Sequence, residues 1–337
     1  MELRTMVGLS DRKNPIRHSD SVFLLGSCFA DGMGQRLSRG GMRCTVNPFG
    51  TLYNPLSIAS ALNRMLDGQP FVPSDVRLFD GEGWGTWWHH SLLSRPSAAE
   101  ALATVNDSLR AASAALRGAD VLLLTFGTAW VYRLREGGEV VANCHRQPDR
   151  LFLRERLTVG GLMAVWQPLL ERLGRECPQL RIVFTVSPIR HLRDGAHGNQ
   201  LSKATLLLFV DELLSATAGS KAPCEEWTSY FPAYEIVLDE LRDYRFYAED
   251  MVHPSSLAVD YVWERFAASC LDASARQLMA RWEEVQRALE HRPFRPQSDE
   301  YKAFLRQTLL KIEAIQKEFP YFDAEKEIDQ CHTLLNN

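Results

Sequence analysis

The sequence predicts an α/β fold, a parallel sheet with helices on both faces, followed by an all-helical C-terminal extension. Three observations carry this expectation. Compact apolar runs of strand length alternate with stretches of 3.6-residue apolar spacing as far as residue 271. Several of the strand-like runs stop abruptly, at Gly26-Ser27, Gly127 and Ser187-Pro188. From residue 272 onward one helical pattern follows another with no strand between them. The chain therefore divides into an α/β domain, residues 1–271, and a helical extension, residues 272–337.

Residues 1–20 are polar, carry Pro15 and read as an extended lead-in. Val22-Phe23-Leu24-Leu25 is a buried strand that ends at Gly26-Ser27, after which Phe29, Met33 and Leu37 recur at helical spacing. A second strand is predicted over 42–46, ending in Asn47-Pro48-Phe49-Gly50-Thr51-Leu52-Tyr53-Asn54-Pro55, a run of turn formers interleaved with aromatics. Helical spacing covers 57–66. Residues 81–90, rich in glycine and tryptophan, read as a small hairpin packed on the domain, with an aromatic ligand wall as the alternative. A helix over 98–116 leads to a strand over 121–126, ended by Gly127-Thr128-Ala129-Trp130. Gly137-Gly138 joins the runs 130–134 and 139–142 as a hairpin, which delivers Asn143-Cys144-His145. A helix over 161–176 places Val165, Trp166, Leu169, Leu170 and Leu173 on one face. The strand over 182–186 then breaks at Ser187-Pro188 into a polar loop, 190–200, with a helix over 201–214 behind it. Residues 231–241 are of mixed pattern, 245–248 read as a last short strand, and 256–271 as a helix. In the extension, Leu278, Met279, Trp282, Val285 and Leu289 form one apolar face, and Phe304, Leu305, Leu309, Ile312 and Ile315 another, with a proline-rich break at 292–296 between them.

Composition narrows the function classes. The 337 residues are 45% hydrophobic and 24% charged, enough to bury a large core, and the formal net charge of −4 argues against a nucleic-acid surface. The N-terminus lacks the apolar core of a secretory signal, and no run approaches the roughly 18 apolar residues of a membrane span, so a cytoplasmic location away from the membrane is expected. Seven cysteines with no Cys-x-x-Cys pair fit reduced thiols.

In a parallel sheet, ligands bind at the carboxyl ends of the strands. Ser27, Gly50, Gly127, Arg190 and the Asp250/His253 pair each follow a predicted strand, so one fold brings these segments to one edge. A serine at the start of a helix places its hydroxyl and its backbone N–H together, which suits both a nucleophile and an oxyanion donor, although serine is also an ordinary helix cap. A serine hydroxyl becomes a competent nucleophile when a base, oriented by a carboxylate, takes its proton; Asp250 and His253 supply both groups from one loop. Asp194-Gly195-Ala196-His197 repeats the same spacing, and the later pair is preferred because it runs into a helix through Pro254-Ser255.

Gly26-Ser27-Cys28-Phe29-Ala30 is the signature from which the GSCFA family takes its name, and that family resembles a branch of the SGNH (GDSL-type) hydrolases. The resemblance runs from about Phe23 to Phe266 and takes in Asn47-Pro48-Phe49-Gly50, Gly127-Thr128-Ala129-Trp130, Asn143-Cys144-His145, Ser187-Pro188-Ile189-Arg190-His191 and Asp250-Met251-Val252-His253-Pro254. It implies a flavodoxin-like three-layer α/β/α sandwich in which Ser27 is the nucleophile, His253 the base and Asp250 its orienting carboxylate. The oxyanion hole it implies uses the backbone N–H groups of Ser27 and Gly50. SGNH enzymes usually carry Gly-x-Asn-Asp where this chain has Gly127-Thr128-Ala129-Trp130, so a donor worth about 3 to 4 kcal/mol to the transition state is missing. Asn143 and His145 are the candidate substitutes, with simple closure of the hairpin as the bland alternative. Glycan O-acyl esterases and transferases of the wider superfamily look similar at this block, which points to ester chemistry on an acylated glycan or small metabolite.

Arg190, His191 and Lys203 are candidates for holding an anionic group; no cofactor is expected beyond an acyl donor such as acyl-coenzyme A if the protein is a transferase. Cys28 is a rival nucleophile. A nicotinamide site is a poor fit because Gly32 and Gly34 come a turn too late, and His89, His90 and His145 lack metal-ligand spacing. The alternative from a different class is a non-catalytic binding protein that keeps the fold.

Overall fold

The structure, a computed structural model, describes residues 5–9, 14–218 and 227–336; the rest of the predicted lead-in, residues 1–4 and 10–13, lies outside the described residues. In chain order, β1 (Ser21–Gly26), α1 (Cys28–Arg39), β2 (Arg43–Val46) and α2 (Pro55–Asp67) precede a hairpin of β3 (Arg77–Phe79) and β4 (Gly83–Gly85). Next come α3 (Ala98–Arg117), β5 (Val121–Phe126), and β6 (Trp130–Leu134), β7 (Val140–Val141) and β8 (Phe152–Arg156), which form a separate antiparallel sheet. The α/β part continues through α4 (Val159–Glu176), β9 (Arg181–Val186), α5 (Gly195–Thr217), β10 (Thr228–Tyr230), the single turn α6 (Ala233–Glu235) and α7 (Ser256–Cys270). The extension is α8 (Ala273–Glu290), α9 (Asp299–Glu318) and α10 (Glu325–Asn336).

Five strands make the central sheet in the order β2-β1-β5-β9-β10, every pair parallel. Side chains alternate across it. Phe23, Leu25, Leu122, Leu124, Ile182 and Phe184 meet α2, α3, α4 and α5 on one face, and Val22, Leu24, Val121, Leu123 and Val183 meet α1 and α7 on the other. The result is the three-layer α/β/α sandwich in the flavodoxin-like strand order. Its switch point, where the order reverses, lies between β1 and β5, so Ser27 and Gly127 stand on either side of it.

The extension packs Leu278, Trp282, Val285, Ile312 and Ile315 into a core of its own, while Ala275 and Met279 reach into the core beneath the sheet. Met279 and Phe322 fill the space over Gly40 and Gly41, and His18 lies 5.3 Å from the Phe322 ring. These contacts are at the amino edge of the strands. The C-terminal helices therefore cover the end opposite the switch point.

Two expectations need correction. Residues 245–248 are not a strand: the Asp243 side chain accepts from the Arg245 N–H at 2.9 Å and folds Tyr244–Phe246 into a single helical turn, while the edge strand is the shorter β10. The polar stretch 190–200 is largely helical, since α5 starts at Gly195; Asn199, Ser202, Lys203 and Thr205 lie on its buried side and break the apolar spacing that announces a helix. β8 carries no apolar alternation to announce it, since Phe152 is its one buried residue and the exposed Leu153 and the charged Arg154, Glu155 and Arg156 follow, whereas β6 alternates visibly.

Candidate active site

The site begins at Gly26, whose φ of 149° and close approach to Thr125 leave no room for a side chain: a Cβ there would run into the Thr125 carbonyl oxygen. Asn47, at φ 40°, ties the same corner together, accepting from the Gly26 N–H at 2.8 Å and donating to Asp31 Oδ1 at 2.6 Å. Ser27 caps α1, but loosely. Its Oγ accepts from the Phe29 N–H at 3.3 Å and its own N–H reaches the Thr125 carbonyl at 3.4 Å, both long for such bonds. The hydroxyl donates to no described residue.

Asp250 and His253 form a pair across one tight loop. Asp250 Oδ2 lies 2.6 Å from His253 Nδ1, and Oδ1 accepts from the backbone N–H groups of Val252 and His253, each at 2.9 Å. The backbone bond from His253, its ring, and the Val252 N–H together push the carboxyl down to about 2. A carboxylate only accepts, so Nδ1 carries the proton and the neutral ring presents its lone pair at Nε2. Met251, between them, is held at φ 55°, a strained conformation for methionine. Arg190 fixes the loop by donating from its backbone N–H to the Val252 carbonyl and from Nη1 to the Met251 carbonyl, both at 3.1 Å.

Ser27 and His253 line one cleft of about 580 Å³, with Trp130, Tyr132 and Tyr53 in its wall. No hydrogen bond joins the two residues. The competing pair is elsewhere: Asp194 binds Arg154 with both carboxylate oxygens, and His197 is exposed on α5. No residue of α8–α10 lines the cleft.

The other candidates divide sharply. Gly50 is a correction: its N–H donates to the Asn47 carbonyl at 2.7 Å, and its glycine identity serves the close approach of His90. His145 is another, since it is buried against the hairpin, stacked 3.9 Å from Phe79, with Nδ1 at 2.9 Å from Glu82 and Nε2 at 2.9 Å from the Thr86 carbonyl. Gly127 stands at the site, yet its N–H and that of Thr128 both donate to the Tyr53 carbonyl, so it is a wall and not a donor. Ala129 is wholly buried, its N–H bonded to Ser202 Oγ. Asn143 does line the cleft; its Oδ1 accepts from the His145 N–H at 2.8 Å and its Nδ2 is left without a described partner.

His191 and Arg190 also line the cleft. The His191 backbone N–H donates to Asn199 Oδ1 at 2.9 Å, while its ring Nε2 is buried with no partner among the described residues. Burial first, then the positive charges of Lys203 and His253, lower this imidazole to about 4. Lys203 does not face the cleft as an anion-binding group. It is fully buried, and Nζ donates to the Gly127 carbonyl at 2.6 Å and the Ser187 carbonyl at 2.7 Å, pinning the ends of β5 and β9; burial brings its ammonium down to about 7. The signal for this role was present in the spacing Asn199, Lys203, Leu206, Val210, which puts the lysine on the apolar stripe of α5.

Cys28 turns partly into the cleft, but burial and the nearby Asp31 raise its thiol, the reverse of activation. Among the described residues no group of three His, Cys, Asp or Glu side chains is placed to hold a metal ion. The Gly81–His90 stretch follows the packing expectation, with Trp87 buried against Phe79 and Phe152; the hairpin itself spans 77–85, and His90, not a tryptophan of this stretch, lines the cleft.

The GSCFA family model matches residues 21–266, and a model for the C-terminal domain of GSCFA domain proteins matches residues 282–337. No curated protein and no solved structure matches the chain.

Proposed function

The chain belongs to the GSCFA family, and from its strand-end geometry we propose that it is a serine-dependent O-acyl ester hydrolase or acyltransferase of the SGNH type. The observation that carries this reading is that Ser27 and an Asp250-paired His253 line a single cleft at the switch point of the sheet. Ser27 Oγ forms a bond to the ester carbonyl carbon while its proton passes to His253 Nε2. The carbonyl electron pair moves onto oxygen, facing the Ser27 N–H, whose long bond to Thr125 leaves it able to turn to the new charge. Collapse breaks the bond to the alcohol, which leaves with the proton from His253, and acyl-Ser27 then passes to water or to a second alcohol. Asp250 holds the imidazole in the tautomer that this sequence needs.

Trp130, Tyr132 and Tyr53 suit the flat faces of a sugar or of another small acylated metabolite. Arg190 and Arg193, both at the cleft, suit an anionic donor such as acyl-coenzyme A if the acceptor is not water. Among the described residues no helix is long and apolar enough to cross a membrane; a cytoplasmic location is part of the proposal. The second reading, a ligand-binding protein without turnover, draws on the commitment of the Gly50 N–H to Asn47, which removes an expected donor. Hydrolysis of p-nitrophenyl acetate by wild type and Ser27→Ala separates the two: turnover lost only in the variant supports ester chemistry, and equal rates refute it.

A further inference from the structure

An ester attacked at Ser27 needs hydrogen-bond donors for the oxygen that becomes charged. The backbone around Ser27 offers few. The N–H groups of Gly50, Gly127, Thr128, Ala129 and Ser187 are bonded respectively to Asn47 O, Tyr53 O, Tyr53 O, Ser202 Oγ and Phe126 O, which leaves the loosely held N–H of Ser27 and that of Cys28 at the first position of α1.

We propose that the Nε2–H of His191 is the second oxyanion donor of this site, a proposal that rests on the ester-chemistry reading of Ser27. A Cβ built on Gly127 would lie 3.3 Å from His191 Nε2 and 3.5 Å from Ser27 Cβ, so the space of one absent methyl separates the imidazole edge from the serine. This nitrogen is buried and bonded to no described residue, a state that is unfavourable unless a ligand or water supplies the acceptor. The ring is fixed: Asn199 holds its backbone, Tyr53 meets it edge-on with ring centroids 6.1 Å apart, and Lys203 pins the Gly127 floor beneath.

Its electrostatic setting suits a donor and opposes a base. His253 has a carboxylate partner to stabilise an imidazolium, whereas His191 has Lys203 as a neighbour and, once His253 has taken the serine proton, that imidazolium as well. A neutral imidazole in this position keeps its proton through the reaction. The bond to the substrate forms as the carbonyl electron pair moves onto oxygen and is lost when that pair returns and the alcohol leaves, so it acts on the transition state more than on the bound ester.

The test uses the full chain with p-nitrophenyl acetate as probe and compares His191→Leu, His191→Gln, Asn143→Ala and Ser27→Ala. His191→Leu is expected to lower kcat about 10²- to 10³-fold with little change in KM, and His191→Gln, which restores an N–H, to recover at least about tenfold of that loss. A His191→Leu enzyme that is folded and keeps wild-type kcat overturns the proposal, as does a large kcat loss confined to Asn143→Ala, which would move the role to that amide. Full turnover in Ser27→Ala overturns instead the reading on which the proposal rests. Should His191→Leu fail to fold, ¹⁵N-labelled histidine in the wild-type protein decides. A His191 Nε2–H resonance that moves downfield when Ser27 is phosphonylated supports the donor role, and an unmoved resonance refutes it.

Discussion

His253 Nδ1 lies 2.6 Å from Asp250 Oδ2, while the Ser27 hydroxyl donates to no described residue, so the proposed base is assembled in advance and the proposed nucleophile is not engaged. Such separation is common before substrate binds. His253→Ala is expected to reduce ester turnover by about 10³-fold or more, and Asp250→Asn by about 10²-fold, because the amide permits the wrong tautomer. His197→Ala should leave the rate unchanged, since that ring is exposed on α5 away from the cleft. Steady-state kinetics on the three variants checks the assignment, and the reverse ranking would transfer the base to the earlier Asp-x-x-His.

The Asp250 carboxyl, held down to about 2, stays ionised across an assay range of about pH 4 to 9. Its native value lies below the unfolded one, so its contribution to folding is present above about 3.9 and is lost as pH falls through about 2. A profile of kcat/KM against pH between 4 and 9 should therefore show no inflection that Asp250→Asn removes.

Glycine at 26 and at 127 keeps β1 and β5 closed around the site. Gly26→Ala meets the Thr125 carbonyl and an unfavourable φ, and should lower stability by about 1 to 3 kcal/mol. Gly127→Ala places its methyl 3.0 Å from the Tyr53 carbonyl and between Ser27 and His191, so it should depress activity more than melting temperature. Thermal unfolding and ester turnover measured on the same samples distinguish the two outcomes.

Lys203 carries a pH dependence of opposite origin to that of Asp250. Its native value of about 7 lies below the unfolded value of about 10.4, so across that window the unfolded chain binds a proton that the native chain does not, and unfolding becomes harder as pH rises. Below about 7 the full penalty of burying the charge applies. A neutral amine still has two N–H groups for the Gly127 and Ser187 carbonyls, whereas Lys203→Met has none. Denaturant unfolding at pH 6, 8 and 9.5 should show the methionine variant falling further behind wild type at each step; a constant difference contradicts this account.

Much of the architecture is legible in the sequence because β1, β5 and β9 are continuous apolar runs buried on both faces, a pattern few other structures produce. That Ser27 and His253 share one cleft and that Asp250 pairs with His253 is legible because each residue belongs to a short local motif. What escaped depends on distant partners. Nothing near Asn143 shows that His145 is claimed by Glu82, 63 residues away; the Gly50 N–H is the local exception, consumed by the Asn47 carbonyl of its own turn. Lys203 reads from the sequence as an anion-binding candidate because its two acceptors lie just past the ends of β5 and β9, 76 and 16 residues earlier. The short edge strand β10 has too few residues for an alternating pattern to register.

The central claim is that Ser27 is an activated nucleophile. Intact mass after treatment with a fluorophosphonate, on wild type, Ser27→Ala and Cys28→Ala, tests it directly. The account predicts a single adduct on wild type and on Cys28→Ala that is absent from Ser27→Ala. An adduct that survives in Ser27→Ala, or no adduct on any of the three, would contradict it.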